Sequence, residues 1–138
     1  MKKVFLGLLL ALVFAGPVQA DYPAGVSVDR LAKTSSSWDG TPLPAYPKGR
    51  PEVTILRITI PVGTVLPMHE HLVINAGVLL SGELTVTSED NEKLVLKAGD
   101  PIVELVNKWH FGKNTGSTPA EILVFYAGSQ DTPITIEK

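Results

Sequence analysis

The sequence predicts a single all-β domain, and three observations predict it. Turn signals recur about every 8–12 residues from Glu52 to the C-terminus, the runs between them are β-branched and alternating, and no helical pattern appears after residue 20. Such spacing belongs to a β-sandwich or small barrel. A chain of 138 residues has enough material for one continuous core and too little for two.

The first segment stands apart from that domain. Met1-Lys2-Lys3 is a short positive start, Val4 to Gly16 is apolar, and Pro17-Val18-Gln19-Ala20 offers small residues before a cut. This is the anatomy of a secretory signal peptide cleaved after Ala20, and its apolar run is shorter than the roughly 20 residues a spanning helix needs. The expected location is the periplasm or outside the cell, with no membrane attachment after cleavage. Loss of Lys2 and Lys3 leaves 10 basic against 14 acidic side chains, a net charge of -4 on 118 residues. No basic field remains to attract nucleic acid.

Residues 21–51 read as an N-terminal arm, partly extended and proline-rich. Val26-Ser27-Val28 and Leu31-Ala32-Lys33 are each candidates for a short edge strand. Pro42, Pro44, Pro47 and Pro51 forbid both helix and central strand between Thr41 and Pro51. Trp38, Leu43 and Tyr46 are the expected anchors of the arm, either on its own domain or on a second copy. Residues 52–138 form the barrel domain. Val53 to Ile60 alternates, with Leu56, Ile58 and Ile60 on one face, and Pro61 and Gly63 end it. Val78-Leu79-Leu80 runs to a turn at Ser81-Gly82, and Leu84 to Thr87 leaves that turn. Glu89-Asp90-Asn91 is a hairpin tip, from which Lys93 to Leu96 returns. Gly99-Asp100 turns into Ile102 to Val106. Trp109 to Gly112, Ile122 to Tyr126 and Ile134 to Ile136 complete the strands, with Asn114 to Pro119 as loop.

The chemistry is confined by what is missing. The chain has no cysteine, which removes disulfides, zinc-thiolate sites, iron–sulfur clusters and thiol nucleophiles together. Its three histidines are His69, His71 and His110. In a strand, positions i and i+2 share a face, so His69 and His71 can reach one point while Glu70 turns away. They make half a chelate, which one or two further ligands would complete. His110 follows after three more predicted strands, and a curling sheet can bring it to the same point. With all three committed there, a separate Ser-His-Asp set has no histidine to use.

The pattern Gly63-(x)5-His69-x-His71-(x)3-Asn75-(x)6-Gly82 resembles the first motif of the cupin superfamily, and Gly99-(x)10-His110-(x)3-Asn114 resembles the second. The resemblance, to small single-domain cupins, covers Glu52 to about Gly128. It implies a cupin-type jelly-roll β-barrel with a divalent metal in its mouth, held by His69, His71 and His110. Iron, manganese, zinc, nickel and copper are not distinguished by these residues, and Fe(II) is favoured if the protein is an oxygenase. The resemblance also implies a small-molecule ligand or substrate and admits a homodimer.

The departures from the pattern bear on function. Asn75 stands where the family usually places the glutamate that is its fourth ligand, and Leu105 and Asn107 replace a usual proline and glycine. Three neutral imidazoles leave a divalent ion its full charge, which favours an anionic or bidentate oxygen ligand. Asn75 is either a weak ligand through its amide oxygen or a hydrogen-bonding neighbour of a bound group. Glu104 is either an inward carboxylate that compensates or a solvent-facing charge. Trp109, Met68 and Phe111, adjacent to ligand positions, are candidate pocket walls. Two function classes follow: an Fe(II)-dependent dioxygenase acting on a small chelating substrate, or a non-catalytic metal- or ligand-binding protein for sensing or sequestration. A metal-assisted lyase or isomerase, with Glu104 as base, is a third.

Overall fold

The computed structural model describes residues 22–138; the expected signal peptide lies outside the described residues. Among the described residues nine strands follow one another: β1 (Pro51–Ile60), β2 (His69–His71), β3 (Ile74–Ser81), β4 (Glu83–Ser88), β5 (Lys93–Lys97), β6 (Pro101–Val103), β7 (His110–Asn114), β8 (Ala120–Ser129) and β9 (Thr135–Glu137). They form two sheets, ordered β1-β8-β3-β6 and β5-β4-β7-β2-β9, in which every strand pair is antiparallel. The sheets face one another as an all-β jelly roll, as the turn spacing predicts. Leu79, Ile102, Ile122 and Tyr126 of the first sheet meet Leu84, Val86 and Leu96 of the second to make the core. Alternation along β8 is regular: Ile122, Val124 and Tyr126 are buried, while Phe125 is 45% exposed.

Tight turns carry the chain from one sheet to the other. Gly82, between β3 and β4, has φ +75° and lies so close to the β7–β8 connection that an added Cβ would sit 2.6 Å from the Pro119 carbonyl oxygen. Asn114 ties two connections together. Its Nδ2 donates to the carbonyls of Ile60 and Thr118, and its Oδ1 accepts from Gly116 N–H. Asn107 has φ +54°, the left-handed turn expected of an asparagine standing in for glycine.

The arm departs from its expectations in two places. Neither Val26–Val28 nor Lys33 and its neighbours form a strand, and Val26, Val28 and Leu31 are each more than half exposed. Leu31 and Ala32 lie beside the β6 edge but make no ladder with it, and the Val103 carbonyl on that strand is taken by Trp38 N–H instead. Tyr46 is no anchor either, at 74% exposure. The arm is instead fastened between Ser35 and Leu43. Ser36 bridges Pro42, Trp38 packs on the core, Leu43 is half-buried, and Trp38 N–H donates to the Val103 carbonyl at 2.9 Å. Asp39, enclosed at the side chain, pairs with Lys108 at 2.8 Å, and Lys108 reaches Asp90 at 2.7 Å. Although burial opposes it, hydrogen bonds from Lys108 and Thr41 hold the Asp39 carboxyl below its ordinary range.

Candidate metal centre

β2 is only three residues long, and its place in the sheet fixes the site. It lies between β7 and β9, with His69 directly opposite His110. The period-2 geometry puts His69 and His71 on the inner face, so three imidazoles point into the space between the sheets. Ring centroids are 5.1 Å apart for His69 and His71, 4.5 Å for His69 and His110, and 5.0 Å for His71 and His110. One ring nitrogen from each lies within 4.8 Å of the others. The three histidines are therefore close enough to hold one metal ion.

The opposite nitrogens define the tautomers. His69 Nδ1 lies 2.7 Å from the Pro67 carbonyl, His110 Nδ1 2.8 Å from that of Lys108, and His71 Nδ1 3.2 Å from that of Ile134 and 2.9 Å from Thr135 Oγ1. A carbonyl only accepts, so each Nδ1 carries the proton and each Nε2 keeps its lone pair. An imidazole oriented by a backbone carbonyl, with its other nitrogen bare, is the arrangement metal-binding histidines adopt. His110 Nε2 is buried without a hydrogen-bond partner. That orphaned acceptor, beside two others, suits a cation.

The chamber is small and mostly apolar. Its volume is about 50 Å³. Ile58 and Ile60 from β1, Leu84 and Val86 from β4, and Ile122 and Val124 from β8 wall it, with the three histidines, Tyr126 and Glu104. Burial drives the His71 ring down to about 3 from 6.5, helped by His110 and His69 and opposed by the Ile134 carbonyl. Burial likewise lowers His110 to about 4, opposed by the Lys108 carbonyl. Burial pushes the Glu104 carboxyl up to about 7, against a hydrogen bond from Leu105 N–H. His110 Nε2 and Glu104 Oε2 approach to 3.6 Å, but a histidine held neutral makes this contact no ion pair.

These shifts have opposite signs in stability. His71 and His110 stay neutral in the fold, so their stability is complete above about 6.5 and is lost as pH falls toward 4 and 3. Glu104, raised from 4.5, favours the fold below 4.5 and loses that contribution as pH rises through about 7. Between pH 4.5 and 6.5 the unfolded chain holds two histidine protons more and one carboxyl proton fewer. The metal-free protein is thus expected to lose stability as pH falls through that range. Urea midpoints measured from pH 7 to 4 check this, and a flat profile between 6.5 and 5 would contradict it.

The other residues singled out by sequence are distributed unevenly. Glu104 lines the chamber and is 8% exposed, so the inward reading of the two is the observed one. Asn75 is buried, but its Nδ2 donates to the Val73 carbonyl at 3.1 Å and it is absent from the chamber lining. Met68, Trp109 and Phe111 do not line the chamber. As neighbours of inward histidines on strands they point to the other face, where Phe111 joins Val65 and Lys113 in an outer groove and Trp109 receives Lys138 Nζ 5.7 Å from its ring centre. The expectation passed over Leu66, Val86 and Tyr126, although β8's alternation carried the signal for Tyr126.

Comparison with known proteins agrees with this architecture. The family model of the cupin domain matches residues 56–126, just over half of the chain. No curated protein sequence matches it. Among solved structures, an oxalate oxidase in complex with the substrate analogue glycolate is 28% identical with a TM-score of 0.53, over 62% of this chain and 45% of that one. The chain thus spans less than half the length of that enzyme. A DMSP lyase from Ruegeria pomeroyi is 21% identical with a TM-score of 0.55, over 72% of this chain and 47% of the lyase. A protein with a double-stranded β-helix domain from Klebsiella pneumoniae is 19% identical with a TM-score of 0.54, over 68% and 90%. These last two likenesses concern the fold.

Proposed function

The chain belongs to the cupin family, and on that premise we propose that it is an exported mononuclear metalloenzyme, an Fe(II)- or Mn(II)-dependent oxidase or dioxygenase acting on a small chelating acid. The observation that carries the reading is the convergence of three bare Nε2 lone pairs in a mostly apolar chamber. Such a donor set suits a divalent first-row metal, with His69, His71 and His110 as its ligands. When bound, the ion supplies Lewis acidity toward oxygen ligands and redox capacity toward dioxygen.

The residues of the chain set the substrate class. About 50 Å³ is room for roughly four water molecules, which suits an acid of two or three carbons better than a bulky aromatic. Neutral imidazoles leave cationic charge at the site, which favours a carboxylate. The likeness to an oxalate oxidase holding glycolate supports the same class. Ile58, Ile60 and Val124 exclude bulk water, so a polar contact inside is stronger than it would be in solution. Export rests on the Met1–Ala20 pattern. Exposed Val53, Ile55 and Phe125 on the outer face of the first sheet suit pairing of two copies.

Oxygen consumption tests the reading. Protein loaded with Fe(II) or Mn(II) is expected to take up oxygen with a small acid such as oxalate, in a reaction that needs both metal and acid. Binding of the acid and thermal stabilisation without any product would favour the non-catalytic alternative, a cupin that sequesters or senses.

A further inference from the structure

We propose that Glu104 supplies, from the segment that follows β6, the carboxylate that this barrel lacks at position 75, so that the metal site is three histidines and Glu104. The proposal rests on the metal-site reading above. Asn75 and Glu104 belong to adjacent chain segments, and Glu104 N–H donates to the Asn75 carbonyl at 3.1 Å. The two side chains behave differently. Asn75 turns its amide onto the carbonyl of Val73, just ahead of β3, and stays out of the chamber. Glu104 continues the alternation of Ile102, which faces inward, and lines the chamber with its Oε2 3.6 Å from His110 Nε2.

Two features indicate that this placement is built for a ligand. Glu104 Oε2 and His110 Nε2 are both buried, both lack a hydrogen-bond partner, and lie 3.6 Å apart. His110 carries its proton on Nδ1, so the two facing atoms are an oxygen and a bare lone pair. Buried acceptors in that relation repel unless a cation or a proton lies between them. The second feature is the clamp on residue 104. Ser37 Oγ donates to the Glu104 carbonyl at 2.8 Å, Trp38 N–H holds Val103, and Asn75 holds the Glu104 amide. The arm thereby fixes the backbone from which the carboxylate projects. A bound divalent ion would carry net charge +1 in place of +2.

Titration of the metal-free protein with Co(II), followed by calorimetry and visible absorption, separates the possibilities. Glu104→Gln keeps the shape and removes the charge. It is expected to weaken Co(II) binding about 10- to 100-fold and to change the visible bands. Glu104→Asp should fall between it and wild type, and Asn75→Glu placed in the Glu104→Gln background should recover most of the affinity. If wild type binds Co(II) and Glu104→Gln binds it equally well with unchanged bands, Glu104 is no ligand and the three-histidine site stands without it. If wild type binds no Co(II), the metal-site reading itself fails and takes this proposal with it.

Discussion

Replacing His71 by alanine is expected to empty the protein of metal while leaving a folded barrel. His71 is 4% exposed at the wall of the chamber, and its Nδ1 is already held by the Ile134 carbonyl and Thr135. Its Nε2 is thus pre-oriented, and little entropy is lost when it binds an ion. Removing a supporting group around a metal ligand costs about 10- to 100-fold in affinity, and removing the ligand itself should cost at least that. Metal content measured by elemental analysis after equilibration is expected to fall from about one ion per chain to less than about a tenth. The fold should survive, because β2 contributes three residues and the main core lies among Leu79, Ile122 and their neighbours. Added metal should raise the Tm of wild type and not that of the variant. A variant that keeps a full equivalent of metal would contradict the assignment.

Gly82→Ala is expected to be the most destabilising small change in the barrel. The new Cβ would meet the Pro119 carbonyl oxygen at 2.6 Å and Ala120 Cα at 2.8 Å, both backbone atoms that cannot swing aside. The residue also needs φ +75°, a conformation that alanine disfavours. Strain and overpacking together are worth about 3 kcal/mol. In a domain of this size that lowers Tm by roughly 10 °C. Gly63→Ala provides the contrast: φ is also +75°, but nothing lies within 4 Å of its added Cβ. It should cost only the conformational part, about 1 kcal/mol. Equal losses at the two positions, read by thermal melts, would show that the close approach at Gly82 is not what matters.

The fold was legible because its signals are local and repeated. Alternation in Ile122–Tyr126, the turn at Ser81-Gly82 and the hairpin tip at Glu89–Asn91 each specify a strand or its end from a few neighbouring residues. The triad was legible for a different reason: three histidines in the whole chain leave few ways to build a site, and the i, i+2 pair already shares a face. The arm was not legible, since Val26–Val28 reads as a strand only if some edge lies beside it, and that depends on tertiary structure. Glu104 was half legible. Its i+2 relation to Ile102 pointed inward, while the general preference of carboxylates for water pointed outward. What decided it was the grip of Ser37 and Asn75 on its backbone, contacts made from 67 and 29 positions away in sequence. Trp109 and Phe111 illustrate the converse, since adjacency to a ligand on a strand means the opposite face.

The central claim is that one metal ion sits among the Nε2 atoms of His69, His71 and His110. Anomalous scattering at a transition-metal edge, from crystals of metal-loaded protein, measures its position. A single strong peak about 2.0–2.2 Å from all three nitrogens is the predicted result. No peak there, or a peak elsewhere in the barrel, would contradict the account.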